Sequence, residues 1–263
     1  MTEQESQADI DRRRSNALAQ LKADAAVPTR YEQRQVSTPL LKWVHSLRYR
    51  HVMRLLKDLP QPIRVLEIGC DSGRLYDLLK TRYDVRFTGI DIAKRRVLIA
   101  RERHRGDPNF TAHIGSAADI LPLDGSYDVI VALETFEHMT RSDVVTVLAA
   151  IAKMAPRLFI CSVPVEIGPA VFFKNLTSAL TGYSRHHDYR WSDTLWAAVY
   201  RLDKVPPHNR RHIGFDWRWL ASSVHTVLPA MTRRNLPFRF LPAALSNSVL
   251  LVAERQAPET KKG

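Results

Sequence analysis

The sequence predicts an α/β domain built on a doubly wound, mostly parallel sheet. Three observations carry that expectation. Short apolar runs and amphipathic stretches alternate from residue 63 to residue 164, the first run enters a glycine-bearing turn, and two more apolar runs close the chain after an interruption.

The elements follow in order. Residues 1–37 are polar and rich in Arg and Gln, which predicts a flexible basic and polar arm or a frayed helix ahead of a domain over 38–263. Leu40, Val44, Leu47, Leu55 and Leu56 recur at helical spacing and stop before Pro60 and Pro62. IRVLEIG (63–69) reads as a strand, and Leu75, Leu78 and Leu79 as a helix. VRFTGID (85–91) is a second strand, followed by the basic helix AKRRVLIARERHR. FTAHIG (110–115) and YDVIVAL (127–133) are the third and fourth strands; Val144, Val147, Leu148 and Ile151 form a helix stripe; RLFICSV (157–163) is the fifth strand. Strands alternating with helices at this pitch pair in parallel, with helices on both faces. After Pro164 the pattern breaks, and 165–212, aromatic, basic and proline-bearing, reads as an inserted cap without strands. FDWRWLASSVHTVL (215–228) returns to helix, and RNLPFRF and SNSVLLVAER read as the final strands.

Composition bounds the function. The chain has 263 residues, 45% hydrophobic and 25% charged, which suits one elaborated domain. No run of eighteen apolar residues exists to cross a bilayer, and the opening MTEQESQADIDRRRSNALAQ has no apolar core of the secretory kind. Cys70 and Cys161 are the only cysteines, which excludes a disulfide framework and a thiolate-only zinc site and makes a reducing cytoplasm the expected compartment. The net charge of +12 is uneven: 1–64 hold 12 basic and 7 acidic residues, 65–164 hold 13 of each, and 165–263 hold 14 and 7. Basic flanks around a neutral core either attract an anionic partner (a phosphorylated substrate, RNA or an acidic membrane surface) or form a dispersed solvated surface.

VLEIGCDSGRL (65–75) is the sharpest local signal. A strand runs into a turn with Gly69 and Gly73 and then a helix, whose first N–H groups are free for a ligand. The spacing is not the G-x-G-x-x-G of dinucleotide sites. Instead Glu67 precedes the first glycine, and Asp91 ends the next strand, where a carboxylate can accept hydrogen bonds from both hydroxyls of a ribose. Over 63–164, with a weaker echo to 254, the chain resembles class I S-adenosylmethionine-dependent methyltransferases, whose first motif is E-x-G-x-G-x-G. Asp71 stands at the middle glycine, and Asp tolerates turn conformations. The resemblance implies a seven-stranded Rossmann-like sheet with an antiparallel edge. It also implies S-adenosylmethionine held by Glu67, Gly69, Cys70, Asp71, Gly73, Asp91, Ile92, Ser116, Ala117 and Glu134, the turn wrapping the methionine part and GSAAD (115–119) bordering adenine. Family members often carry an acid at Ser116, so this sequence departs there.

ETFEHM (134–139) follows the fourth strand. If helical, it puts Glu134, Glu137 and His138 on one face. Two carboxylates and an imidazole can bind Mg²⁺, Mn²⁺ or Fe²⁺. The segment looks like the E-x-x-E-H of ubiquinone-biosynthesis O-methyltransferases, and is similar to that of small-RNA 2′-O-methyltransferases, where a further histidine completes a metal site. His212 is the candidate fourth ligand, with His186 and His187 as alternatives. The preferred reading has no metal: Glu134 caps the cofactor pocket, Glu137 supports His138 or is solvated, and His138 acts on the acceptor. His138 and Glu137 are therefore the candidate catalytic residues.

Phe172, Leu176 and Leu180 form a stripe at i, i+4, i+8, read either as a lid or membrane-resting patch or as ordinary packing. Trp191, Trp196, Trp217 and Trp219 crowd the same region, and Cys70 reads as a small apolar residue without reactivity. The expected activity is methyl transfer to oxygen on a small, lipid-linked or glycan-linked acceptor, with peripheral contact to an anionic membrane as a possible accompaniment. RNA 2′-O-methylation and a catalytically inactive cofactor-binding module are the alternatives.

Overall fold

The computed structural model describes residues 7–27, 39–121, 126–181 and 189–255. Helices α1 (Gln7–Ala26) and α2 (Pro39–Leu55) precede β1 (Ile63–Ile68). Then come α3 (Arg74–Leu79), β2 (Val85–Asp91), α4 (Lys94–Arg103), β3 (Phe110–Ile114), α5 (Ala117–Ile120) and β4 (Val129–Leu133). They are followed by α6 (Arg141–Met154), β5 (Leu158–Pro164), α7 (Pro169–Thr181), α8 (Trp191–Ala198) and α9 (Trp217–Val227). Strands β6 (Met231–Leu236) and β7 (Ser248–Glu254) close the sheet.

The seven strands lie in the order β3-β2-β1-β4-β5-β7-β6. The first five pair in parallel, and β7 runs antiparallel between β5 and β6. Both faces are covered, which is why β4 and β5 are buried at every position and read as unbroken apolar runs. On one face α6 (Val144, Val147, Leu148, Ile151) and α9 (Leu220, Val224) pack on Leu66, Ile68, Ile130 and Phe159. On the other, α2 (Val52, Leu56), α3 (Leu75, Leu79) and α4 (Val97) cover Ile63, Val65, Phe87 and Val129. Helix α6 is bounded by local chemistry. The Thr140 hydroxyl accepts from the Asp143 N–H at 3.2 Å, the Asp143 carboxylate accepts from the Thr140 N–H at 3.3 Å, and Ala155 ends the helix at φ 47°.

Of the loose arm and the frayed helix expected over 1–37, residues 7–26 take the helix. It is tied to α4 by the Arg95–Asp24 ion pair and by Arg103, which donates to the carbonyls of Ala25 (3.0 Å) and Val27 (2.8 Å). The penultimate strand covers 231–236, not 234–240: Pro237 has no N–H to give the ladder, so pairing stops before it. The stripe Phe172–Leu176 is not the packed face of α7. Val171, Asn175 and Ser178 are buried, and the Asn175 amide donates to the Thr194 hydroxyl of α8 at 2.8 Å, while Leu176 is exposed; the Leu180 side chain lies outside the described residues. Of the four tryptophans only Trp217 is buried, and Trp191 and Trp196 face outward. Among the described residues 165–212 holds no strand, and no helix there or elsewhere is long and apolar enough to cross a membrane.

Candidate active site

Between β1 and β4 the strand order reverses, so the carboxyl ends of β1, β2 and β4 splay open into a crevice. A cavity of about 410 Å³ occupies it. Nine of the ten residues expected to hold the cofactor line it: Glu67, Gly69, Cys70, Asp71, Asp91, Ile92, Ser116, Ala117 and Glu134. Gly73 is not among the lining residues. It starts α3 at φ 81°, where a Cβ would come within 3.1 Å of His104 Nε2.

The turn after β1 is fixed from below. Gly69 sits at φ 80°, its N–H donates to the Ile90 carbonyl at 2.7 Å, and a Cβ there would lie 2.3 Å from Thr135 Oγ1. Asp71 takes the middle position at φ 48°, as its tolerance of left-handed conformations allows. Its N–H donates to Asp91 Oδ2 at 2.9 Å, and its carboxylate pairs with Arg96 at 2.9 Å. Asp91 Oδ1 accepts from the Ala93 N–H at 2.8 Å. Both Asp91 oxygens are thus oriented by backbone donors, and each keeps a second lone pair for a ligand. Cys70 packs over Gly89, where a Cβ would meet its sulfur at 2.6 Å, and burial pushes its thiol well above the ordinary range, which is the inert role expected of it.

Glu67 is buried at the back of the cavity, and its Oε2 has no hydrogen-bond partner among the described residues. Burial raises its carboxyl well above the usual range; the charges of Asp71 and Asp91 add to this, and Arg48 opposes it. The unfolded chain releases this proton near 4.5 while the folded chain holds it, so stability falls as pH rises from there to the raised value. Glu67→Gln removes that penalty. Ligand-free Glu67→Gln is therefore expected to melt above wild type at about pH 8, by roughly 2–4 °C per kcal/mol recovered, with the gap closing at about pH 4. Scanning fluorimetry at the two pH values checks this, and an unchanged or lower melting temperature at the higher pH would contradict it.

The segment after β4 departs from the expected helical face. Glu134 sits at φ 52°, and only Phe136–His138 form a turn, of the tighter 3₁₀ kind, so the three side chains part company. Glu134 lines the cavity, with Oε1 accepting from the Ser162 hydroxyl at 3.0 Å and Arg48 4.0 Å away. Glu137 turns into the core near Cys161 and is fully buried, and neither carboxylate oxygen has a hydrogen-bond partner among the described residues. Burial and the neighbouring Glu134 hold its carboxyl protonated well above the usual range. It is neither solvated nor part of the cavity lining. His138 is exposed on the lining, and its N–H donates to the Thr135 carbonyl at 3.0 Å. The His212 ring stands edge-on to it, centroids 5.0 Å apart. Glu134, Glu137, His138 and His212 therefore do not converge as a ligand set. Among the described residues no group of three or more His, Cys, Asp or Glu is arranged to hold a metal ion. His186 and His187 lie outside the described residues.

Several site residues escaped the sequence reading. Arg48 and Tyr49 of α2 line the cavity, and Arg210 of the cap reaches it beside Asp143 at 3.4 Å. Glu166, fully buried behind the cap and not part of the cavity lining, accepts from the Tyr189 hydroxyl at 3.0 Å, with Lys174 Nζ at 3.7 Å and His212 Nδ1 at 3.8 Å from its Oε1. A lone acid in the apolar run SVPVEIGP was the available signal for Glu166; nothing local marked Arg48.

Residues 65–156 match the family model of the methyltransferase domain. The O-methyltransferase rstn1 of Aspergillus nomiae is 28% identical over 111 residues, which is 40% of this chain and 48% of that protein. The O-methyltransferase cnsE of Penicillium expansum is 36% identical over 93 residues, 34% of this chain and 33% of that protein. The chain thus spans half or less of the length of these curated relatives. Among solved structures, small RNA methyltransferase HEN1 superposes with a TM-score of 0.57 at 15% identity, over 81% of this chain and 25% of that one, a likeness of fold. The seven-stranded sheet has the fold of the class I, Rossmann-like methyltransferases, and the part that matches the methyltransferase domain runs from β1 through α6.

Proposed function

We propose that the chain is an S-adenosylmethionine-dependent methyltransferase that methylates oxygen on a small, lipid-linked or glycan-linked acceptor. The observation that carries this reading is the cavity at the strand reversal, where Glu67 and Asp91 flank the Gly69–Gly73 turn and His138 stands on the lining. The residues fit the cofactor. A buried Glu67 oxygen without a partner among the described residues suits an ammonium donor, and the pre-oriented Asp91 carboxylate suits paired ribose hydroxyls. The volume lies in the range of small-molecule sites.

When bound, the cofactor supplies a methyl group already made electrophilic by its sulfonium. The protein then has two tasks: aligning the acceptor oxygen and taking its proton. An imidazole nitrogen of His138 takes the hydroxyl proton. Glu134, held by Ser162, shapes the wall beside it, and Glu137 lies buried behind the 3₁₀ turn as a neutral group. The names of the two curated relatives and the E-x-x-E-H likeness to ubiquinone-biosynthesis enzymes favour oxygen as the acceptor atom.

The test is to incubate the purified chain with cofactor bearing a tritiated methyl group and cell extract, and then to fractionate the products. Label is expected in the low-molecular-weight, lipid or glycan fractions. Label released by ribonuclease would replace this acceptor class with RNA. Cofactor binding without transfer to any fraction would leave a binding module that does not turn over.

A further inference from the structure

Outside the cavity, the fold gathers an aromatic and basic surface that no single stretch of sequence displays. It joins the outer stripe of α2 to the connection between β6, an edge strand, and β7. On α2, Arg48, Val52 and Leu56 form the buried face, and Trp43, Arg50 and Arg54 lie on the exposed one, seven and four residues apart. Across from them the Trp43 and Phe238 rings are 5.7 Å apart, and the Phe238 and Phe240 rings 5.5 Å apart. Phe240 is 82% exposed, the most exposed large apolar side chain among the described residues.

Arginines lie on the same segments as this row of rings: Arg239 stands between Phe238 and Phe240, Arg234 is on β6 and Arg54 is on α2. Arg54, Arg234 and Arg239 all act on His51, a buried residue of α2 whose Nδ1 lies 2.8 Å from the Leu47 carbonyl. Burial holds that imidazole below its ordinary value; the Leu47 contact works the other way, and the three positive charges reinforce the burial. Helix α2 packs beside β6, so Arg54, Arg234 and Arg239 come from two separate parts of the chain to neighbouring elements. None of them has a carboxylate within 4.0 Å among the described residues, whereas Arg201, Arg210 and Arg218 of the cap side are each paired with an aspartate.

We propose that the surface formed by Trp43, Phe238 and Phe240 with Arg54, Arg234 and Arg239 docks the protein on an anionic lipid bilayer. Contiguous rings projecting from a tip enter the interfacial region, and the flanking guanidinium groups meet lipid phosphates and carboxylates. Single-stranded nucleic acid fits less well. It needs ring faces presented one by one for bases to stack on, and here each ring packs against its neighbour. Helix α2 also supplies Arg48 and Tyr49 to the cavity, so the docked element and the cavity wall are one helix. The proposal does not rest on the methyltransferase reading, and its failure would leave that reading untouched.

Co-sedimentation of the full chain with vesicles tests it. Binding is expected to vesicles of phosphatidylcholine containing phosphatidylserine, and not to phosphatidylcholine alone. The double variant Arg239→Glu with Phe240→Ser should lose about tenfold or more of the partitioning. Both side chains are exposed, so its melting temperature should match wild type. Lys153→Glu, an exposed charge change on α6, should leave binding nearly intact. Absence of binding to the anionic vesicles would overturn the proposal. So would an equal loss with Lys153→Glu, which would make the effect one of net charge alone. Binding of single-stranded RNA that the double variant abolishes, with no vesicle binding, would assign the surface to nucleic acid.

Discussion

His138→Ala is expected to lower turnover by roughly 10²–10⁴-fold, the worth of a positioned acid–base group, while cofactor affinity stays nearly unchanged. The contrast follows from position. Glu67 is buried on β1 and Asp91 ends β2, whereas His138 is exposed on the lining after β4. Its backbone is held by Thr135 and its ring is flanked by His212, so the loss should appear in kcat rather than in cofactor binding. Wild-type enzyme treated with chelator should keep full activity. Glu137 points into the core, and Glu134 is held by Ser162, which leaves no convergent donor set among the described residues. Activity that vanished with chelator and returned with Mg²⁺ or Mn²⁺ would contradict this and place a metal between His138 and the acceptor.

Asp91→Ala is expected to weaken cofactor binding at least about tenfold, since charge-assisted hydrogen bonds contribute roughly 1.5–3 kcal/mol each. The side chain also accepts from the backbone of Asp71 and Ala93, so the alanine variant loosens the turn as well. Asp91→Asn separates the two effects. It keeps the shape but loses the charge, and should still bind several-fold more weakly than wild type; unaltered affinity in both variants would remove Asp91 from the site. Gly69→Val is the poorer probe. At φ 80° and 2.3 Å from Thr135 Oγ1, its Cβ breaks the turn before any ligand arrives, so it reports folding rather than blocked access to the cofactor.

What could be read from the sequence was what depends on neighbours in the chain. The alternation of strands and helices over 63–164 is local patterning, and the parallel sheet followed from it. The stripe of Val144, Val147, Leu148 and Ile151 is buried in the structure as its spacing requires. Gly69 and Gly73, at φ 80° and 81°, were legible for the same reason, because the turn itself demands them, whereas the acids Glu67 and Asp91 were legible as a motif.

What escaped depends on distant packing. Arg48 and Tyr49 reach the cavity from a helix that docks beside it, and Arg210 arrives from the far end of the cap. ETFEH has helical spacing on paper, but Glu134 adopts a left-handed conformation as the chain leaves β4. That sends Glu137 inward and His138 outward. Helix α1 has little apolar periodicity and is attached through arginine contacts to α4, which hydrophobic pattern does not report. The row of Trp43, Phe238 and Phe240 likewise joins segments about 200 residues apart, a distance that only the closing of the sheet spans.

Calorimetric titration of the wild-type chain with S-adenosylhomocysteine, alongside NAD, tests whether the crevice at the strand reversal is an S-adenosylmethionine site. The expected result is saturable binding of S-adenosylhomocysteine with one site per chain and no heat of binding with NAD, because the turn carries Asp71 and the G-C-D-S-G spacing rather than G-x-G-x-x-G. Binding of NAD without binding of S-adenosylhomocysteine would contradict the account at its foundation.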